Sequence, residues 1–284
     1  MMRVYVEAVG LCGPGLSGWS ASRPALAGND PYQPAPVAVP PTPLLPANER
    51  RRTVQTVKLA LAVGTEAFAA ARRNPTDTAT VFTSSGGDGE TIHEILKALA
   101  SSDRELSPTR FHNSVHNAPA GYWSIATQCH APSTSLCCHD ASFAAGLLEA
   151  AVQATVDDRA VALIAYDLPY PEPLNSVRPI GAIFGAALIL TPQASNAALA
   201  RLDVELRQKS GDISVMADTA LEGLRRGTPA ARSLPLLAAL ARSRSATLIL
   251  DYLPGLEIGV SLEPAMSAAL ASSRDREARA ASRR

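Results

Sequence analysis

Four consecutive residues, Cys137, Cys138, His139 and Asp140, combine side chain types that nucleophilic and acid–base catalysis use. They lie in A-P-S-T-S-L-C-C-H-D-A-S-F-A-A-G, Ala131 to Gly146, whose pattern predicts a short strand, a tight elbow and an alanine-rich helix. Many enzymes place a nucleophile at a strand-to-helix elbow, and a helix N-terminus lowers the pKa of a thiol. The question is which side chain occupies the nucleophile's position.

Cys138 is the thiol candidate, because an extended strand would point its side chain to the same side as Asp140. His139 would not assist it, since adjacent residues on a strand face opposite ways. Buried free cysteine behaves mostly as a small hydrophobe, and a reactive thiol needs a specific polar setting. A catalytic Cys138 therefore stays an alternative.

Asp140 is predicted to cap the following helix by accepting from the backbone amide of Ser142 or Phe143, since Asp is among the best N-caps. The helix dipole would stabilise its carboxylate, and the same stabilisation makes it a poor nucleophile. An acyl-aspartate would be a reactive anhydride rather than a stable intermediate.

Two further site types have partial support in the sequence. His112 and His116 are spaced so that a helix would place both on one face, and with a side chain from 137–139 they could bind zinc. Pro119 makes that helix doubtful, and no C-x-x-C pair supports the metal. The turn Ser84–Gly89 resembles a phosphate-cradling loop but lacks the Lys-Ser/Thr of a P-loop. The sequence therefore predicts no metal and no cofactor.

A layered α/β fold must position these residues, because predicted strands and helices alternate along the chain. Apolar runs predict strands at Arg3–Leu11, Ala79–Ser84, Ala160–Tyr166 and Ile183–Leu190, with edge strands at Thr247–Leu250 and Leu256–Leu262. Helices are predicted from the cap Asn48 to about Arg73, at Glu90–Ala100, at Ala118–Thr127 and at Ala141–Ala154. In the second of these, Ile92, Ile95, Leu96 and Leu99 are expected to face inward.

Composition narrows the class of protein. The 284 residues are 46% hydrophobic, which allows a substantial core, and Lys+Arg and Asp+Glu both number 26. This balance argues against a nucleic-acid partner or a polybasic membrane anchor. Charged residues make up only 18%, a thin polar coat that fits a chain partly covered by a protein partner.

The same inventory predicts a cytoplasmic protein. The four cysteines form no disulfide framework and are predicted to be reduced thiols. Glu7 interrupts the first apolar run, which excludes a signal peptide, and Ile180–Leu190 is too short to span a bilayer. The proline-rich insertion 31–46 is predicted to be an extended arm, and the polar tail 272–284 to be disordered.

Three stretches resemble the N-terminal half of a β-ketoacyl synthase, the condensing enzyme of fatty-acid and polyketide assembly. They are S-P-T-R-F-H-N-S-V-H-N-A-P-A-G-Y-W-S-I-A-T (Ser107 to Thr127), A-P-S-T-S-L-C-C-H-D-A-S (Ala131 to Ser142) and G-A-A-L-I-L (Gly185 to Leu190). The elbow pattern of the synthases is G-P-S-x-S-x-x-T-A-C-[SA]-[ST], and the three stretches occur in the matching order. The resemblance implies a thiolase-like, helix–sheet–helix fold over residues 1–271, truncated relative to full ketosynthases.

The chain departs from this family at its catalytic residues. The synthase nucleophile is the cysteine eight positions after the motif's proline, and Pro132 plus eight is Asp140. Condensing enzymes also use two histidines from their C-terminal half. None of the histidines here lies after residue 139. The usual Cys-His-His constellation therefore has no counterpart in the expected places.

A ketosynthase-like chain without these residues resembles a chain length factor, the inactive partner in a ketosynthase heterodimer, most closely of the aryl polyene or xanthomonadin type. The resemblance implies that it pairs with an active β-ketoacyl synthase through the strand before the elbow, and meets an acyl carrier protein only indirectly. It further implies that the following residues lie near the partner's acyl tunnel or the interface: Phe111, Val115, His116, Asn117 and Trp123.

Two alternatives stay open. One is an active minimal ketosynthase or acyltransferase that uses Cys138. The other is a structural module with no acyl tunnel, in which Phe111, Val115 and Trp123 are ordinary core residues.

Overall fold

The computed structural model describes residues 1–41 and 43–265, so the predicted tail 272–284 lies outside the described residues. Within these ranges the sheet contains β1 (Met2–Gly13), β2 (Leu16–Ser17), β3 (Ala79–Thr83), β4 (Ser133–Leu136), β5 (Val161–Asp167), β6 (Phe184–Thr191), β7 (Ala200–Gln208), β8 (Ala246–Asp251) and β9 (Leu256–Pro264). The strand order is β4-β3-β5-β6-β1-β7-β9-β8, and β2 pairs with β1. β3 runs parallel to β4 and β5, whereas the other pairs are antiparallel.

The helices are α1 (Trp19–Ala27), α2 (Ala47–Arg52), α3 (Gln55–Ala71), α4 (Gly89–Ala100), α5 (Pro108–Ser114), α6 (Ala118–Thr127), α7 (Ser142–Val156), α8 (Leu174–Val177), α9 (Thr219–Gly227) and α10 (Leu234–Arg242). Short 3₁₀ turns lie at Pro75–Asp77, His139–Ala141 and Pro229–Ser233. In the described part of the chain, no helix has the length and apolar character needed to cross a membrane.

Helices cover both faces of the sheet and create two core clusters. One cluster contains Leu147 of α7 and Leu163 of β5, and the other contains Val63 of α3, Trp123 of α6 and Ile164 of β5. Leu163 and Ile164 are adjacent and enter opposite clusters, as the alternation of side chains along a strand requires. The predicted helix–sheet–helix layering is confirmed.

The prediction of one continuous helix from Asn48 to about Arg73 is wrong. Two helices, α2 and α3, replace it, because Thr53 and Val54 adopt extended backbone conformations between them. Pro46, rather than Asn48, occupies the N-cap of α2, and the Asn48 side chain accepts instead from Arg51.

The prediction that the large apolar residues of α4 face inward is also wrong. Of its four large apolar residues only Ile95 is buried, whereas Ile92, Leu96 and Leu99 are 37%, 58% and 46% exposed. The reason is that α4 packs mainly against α5 rather than on the sheet. Its apolar stripe therefore faces away from the core of this chain.

Strand β7 was not predicted from the sequence, although A-R-L-D-V-E-L-R-Q alternates apolar and polar residues. Ala200, Leu202 and Val204 are buried on one face of this strand, as that alternation would have indicated. It lies between β1 and β9, so it extends the sheet into the C-terminal part of the chain.

The proline-rich segment lies against this chain. Tyr32 donates its hydroxyl hydrogen to the Pro14 carbonyl at 2.6 Å, and the Gly15 amide donates to the Ala35 carbonyl at 3.1 Å. Val37 and Val39 pack on the core cluster under α3. The segment between residues 31 and 41 contains no helix or strand, as its prolines predicted.

We expect Gly15→Ala to lower stability, because Gly15 has a φ of 65° and an added Cβ would lie 2.0 Å from the Gln33 carbonyl oxygen. The arm would have to move away from β1, at a cost of roughly 2–3 kcal/mol in the free energy of unfolding. Chemical unfolding measures this loss.

The matched control is Gly28→Ala, since Gly28 has a φ of 80° but an added Cβ meets nothing within 4 Å. Its cost should be only that of a left-handed alanine, about 1 kcal/mol. Equal losses in the two variants would show that the contact between Gly15 and the arm contributes nothing.

Candidate functional site

The elbow has the geometry that the sequence predicted. β4 ends at Leu136, a 3₁₀ turn covers His139–Ala141, and α7 begins at Ser142. His139 has a φ of 51°, a left-handed conformation that is uncommon for residues other than glycine. Such strain is frequent at functional elbows. The chain therefore keeps the backbone of a nucleophile elbow.

Asp140 does not cap α7, which corrects the prediction. The N-cap position is Ala141, without a side chain cap, and Asp140 lies inside the preceding 3₁₀ turn. Its Oδ1 accepts from Arg178 Nη2 at 2.6 Å, and its Oδ2 lies 3.1 Å from Arg232 Nη2. The arginines hold the carboxylate away from the α7 amides, because ion pairing with two guanidinium groups replaces the capping bond.

The ion pairs continue beyond Asp140. Arg232 also contacts Asp251, with Nη1 3.3 Å from Oδ2, so two carboxylates flank one guanidinium. The four side chains of this network, defined here as the elbow network, are partly buried: Asp140, Arg178, Arg232 and Asp251. Both oxygens of Asp140 are therefore engaged by arginine side chains.

The geometry does not favour Cys138 as a nucleophile. Burial raises the pKa of its thiol above the ordinary value, and the neighbouring Cys137 thiol adds to the rise. Its backbone amide donates to Ser142 Oγ at 3.0 Å, while the His139 side chain is mostly exposed. Because the thiolate is the reactive form, a raised pKa reduces the fraction of Cys138 able to attack.

Asp167 is a buried carboxylate that was not predicted as a site residue from the sequence. Its Oδ1 accepts from Ser84 Oγ at 3.2 Å, from the Ser85 amide at 2.8 Å and from Ser85 Oγ at 2.7 Å, and its Oδ2 accepts from the Ala230 amide at 2.8 Å. Burial raises the pKa of Asp167 to about 6, against the hydrogen bonds that lower it. A charged residue ending the apolar run A-V-A-L-I-A-Y could have indicated it.

Asp167 connects the loop after β3, which contacts Cys137 at the elbow, to the elbow network. Ser85, which Asp167 holds, accepts from Cys137 Sγ through its carbonyl at 3.1 Å. Ala230 belongs to the 3₁₀ turn that carries Arg232. One buried side chain thus fixes both the loop after β3 and the turn that supplies an arginine to Asp140.

Comparison with known protein families shows to which family this chain belongs. A sequence profile described as the N-terminal domain of β-ketoacyl synthase matches residues 19–249. The chain belongs to the β-ketoacyl synthase family. A search of curated proteins by sequence finds no match.

Solved structures show that this β-ketoacyl synthase family member has the thiolase-like ketosynthase fold. One chain from the structure of the ketosynthase (ApeO) in complex with its chain length factor (ApeC) from Xenorhabdus doucetiae aligns with a TM-score of 0.70 and 23% identity, over 92% of this chain and 100% of that one. The ishigamide ketosynthase/chain length factor gives 0.69 and 13%, over 94% and 100%. The AntDE:AntF complex, a type II polyketide acyl-carrier protein with its ketosynthase, gives 0.71 and 12%, over 93% and 99%.

In this β-ketoacyl synthase family member, the residues predicted to lie near a tunnel or interface occupy two environments. Phe111 and Val115 are 63% and 45% exposed at the surface of the α5 region, and Asn117 is exposed beside them. His116 is partly buried, with Nε2 3.4 Å from the Ser84 carbonyl. Trp123 is 2% exposed and packs on Phe68 and Phe82 in this chain's own core.

The zinc alternative required His112 and His116 on one helix face. The helix α5 ends at Ser114, and Val115 is extended, so the two rings diverge. His112 lies edge-on to Tyr122 at 5.7 Å, whereas His116 approaches Ser84. Among the described residues no group of three or more His, Cys, Asp or Glu side chains could hold a metal. The continuous helix that Pro119 made doubtful is indeed interrupted between the two histidines.

The Ser84–Gly89 segment is a strand-end turn, as predicted. Ser84 Oγ accepts from the Gly87 amide at 3.1 Å, and Asp88 caps α4 by accepting from the Thr91 amide at 2.7 Å. Asp88 also accepts from Thr56 Oγ1 at 2.6 Å, which joins the turn to α3. The hydrogen bonds of the turn are made within the chain.

Proposed function

We propose that this chain is a catalytically silent chain length factor that pairs with an active β-ketoacyl synthase and shapes its acyl tunnel. The observation that carries the proposal is Asp140. It stands where the family has its nucleophilic cysteine, and Arg178 and Arg232 engage both of its oxygens. A carboxylate has no sulfur, so Asp140 cannot form the thioester that condensation requires.

The position of β4 supports the proposed pairing. β4 is the first strand in the order of the sheet, and its outer edge has no strand partner within residues 1–41 and 43–265. An open edge presents unpaired N–H and C=O groups, which a second chain can pair. The named complexes of ketosynthases with chain length factors lend weight to the same arrangement for this chain.

The proposal extends to pathway, further partners and location. We propose a polyketide or aryl polyene type of assembly, in which an acyl carrier protein meets this chain only through the complex. All four cysteines are free thiols, which fits a reducing compartment, so a cytoplasmic location is part of the proposal.

Co-expression with the β-ketoacyl synthase of the same pathway tests the proposal. We expect a one-to-one complex on size exclusion, and intact mass after treatment with an acyl-thioester mimic should show label only on the synthase. Label on this chain that disappears in Cys138→Ala would identify an enzyme instead. Failure of the two wild-type chains to associate would also contradict the proposal.

We expect Phe111→Ala to change the length of the product made by the complex. Phe111 is 63% exposed on this chain, so it is available to reach a partner's tunnel, where removal of its ring would allow longer chains. Mass spectrometry of the released products measures the shift, which should be at least one extension unit.

The control is Val177→Ala, since Val177 on α8 is 81% exposed and lies outside the predicted tunnel set. Its product distribution should match that of the wild type. An unchanged distribution in Phe111→Ala, with the complex intact, would favour the structural module without a tunnel role.

A further inference from the structure

The apolar stripe of α4 is exposed, although its sequence pattern predicted that it would face inward. Ile92, Leu96 and Leu99 recur at helical spacing and lie on one face of α4, here called the α4 face. All three side chains are exposed. An amphipathic helix normally turns such a stripe to a core, so an uncovered stripe marks a surface for another molecule.

The helix does not need this face for its own attachment. Thr91 and Ile95 are its buried residues. Glu94 pairs with Lys97 at 2.9 Å and reaches Arg110 of α5 at 3.6 Å, which ties the two helices together on a different side. The α4 face can therefore serve a contact outside the chain without loss of the fold.

The α4 face is continuous with the open edge of the sheet. α4 packs on α5, α5 packs on α6, and α6 packs on both β3 and β4. Exposed apolar side chains follow the same path, with Phe111 and Val115 in the α5 region and Ile125 on α6. A chain that pairs with β4 would therefore meet α6, then α5, then the α4 face.

Within residues 1–41 and 43–265 no segment covers the α4 face, since its three apolar side chains are exposed. Residues 266–284 follow β9, which stands at the other side of the sheet order from β4. Their sequence, M-S-A-A-L-A-S-S-R-D-R-E-A-R-A-A-S-R-R, contains only two large apolar residues. It offers no apolar surface to match three large aliphatic side chains.

We propose that the α4 face is a second anchor for the β-ketoacyl synthase partner, set in an apolar groove of that subunit, in addition to the β4 edge. This rests on the proposed function, which supplies the partner. The recognition chemistry is that of an amphipathic helix in a groove, with anchors at positions i, i+4 and i+7. Charged residues of α4, such as Lys97, would stay in solvent.

Binding between the purified chains tests the anchor. Leu96→Glu should raise the Kd for the synthase roughly tenfold to hundredfold, because a central apolar anchor is replaced by a charge that must be desolvated. The matched control is Lys97→Glu, which introduces the same residue at the next position, where the side chain is 62% exposed, and should change the Kd less than threefold.

Amide hydrogen exchange on the two wild-type chains tests the anchor without any substitution, so a folding defect of a variant cannot affect the result. Exchange in residues 89–100 should slow at least tenfold when the synthase is added. A complex in which Leu96→Glu binds like the wild type, or in which this exchange is unchanged, overturns the anchor and leaves the proposed function standing.

If the wild-type chains do not associate, both the proposed function and the anchor are contradicted. If this chain then self-associates and Leu96→Glu abolishes the homodimer, the α4 face is an interface between copies, and the assignment to a synthase is overturned.

Discussion

Replacing Asp167 with alanine is expected to lower the free energy of unfolding by roughly 4 kcal/mol at neutral pH, one of the two largest losses predicted for this chain. The amides of Ser85 and Ala230 would lose their acceptor inside the protein. Each buried unsatisfied donor costs about 1–3 kcal/mol, and two serine hydroxyls would lose the same partner. Denaturant titration of the isolated chain or of the complex measures this loss.

The variant Asp167→Asn keeps the shape of the side chain and supplies the control. Its oxygen can still accept from the Ser85 groups, but its amide nitrogen would face the donating amide of Ala230, so part of the loss should remain. The turn that carries Arg232 should then shift, and the contact with Asp140 should loosen. An alanine variant as stable as the wild type would show that water replaces the carboxylate without cost.

The same pair of proteins should reveal a pH dependence. Burial raises the pKa of Asp167 from an ordinary value of 3.8 to about 6. A raised folded pKa means that stability from this group is fully present below pH 3.8 and is lost as the pH rises through about 6. The stability advantage of the wild type over Asp167→Asn should therefore shrink by up to roughly 3 kcal/mol between pH 4 and pH 7. A difference that grows with pH would contradict the sign.

Gly10→Ala is the second large effect that we expect. An added Cβ on this central strand would lie 1.9 Å from the Val63 carbonyl oxygen and 3.2 Å from the Ala67 amide, both backbone atoms of α3. Neither can move without lifting the whole helix from β1, so the variant should lose at least ~3 kcal/mol of stability and accumulate poorly. Expression level and chemical unfolding measure the effect.

Gly223→Ala is the control for Gly10→Ala, because an added Cβ at this helical glycine of α9 meets nothing within 4 Å. Alanine is the better helix former, so this variant should gain about 0.5–1 kcal/mol. Similar stability in both variants would show that α3 can retreat from β1 without loss.

The sequence was sufficient for the local structure of the elbow but not for its partners. The stretch S-T-S-L-C-C-H-D-A-S-F-A-A-G indicated the strand, the turn and the helix, because each has a local period and composition. It predicted Asp140 at the elbow but wrongly assigned it the N-cap of α7. Arg178 and Arg232 reach Asp140 only through the folded chain, and no local pattern connects residues so far apart.

The error at α4 has a different physical origin. Its period correctly predicted an amphipathic helix, but a period cannot say whether the apolar stripe faces the same chain or another molecule. Ile95 is buried in this chain, whereas Leu96 is mostly exposed. Trp123 shows the converse, since a residue expected beside a tunnel or interface is enclosed in its own core.

The place of β1 in the sheet has a consequence for synthesis on the ribosome. β1 pairs with β6 on one side and with β7 on the other, and the partner residues in those strands begin at Gly185 and Ala200. The elements β2, α1 and α3 pack on β1 and follow it closely in sequence, but its backbone pairing with β6 and β7 must wait until those strands have been translated. The centre of the sheet is therefore completed only after β7 has left the ribosome, and chains that stop before it carry unpaired strand edges that favour aggregation.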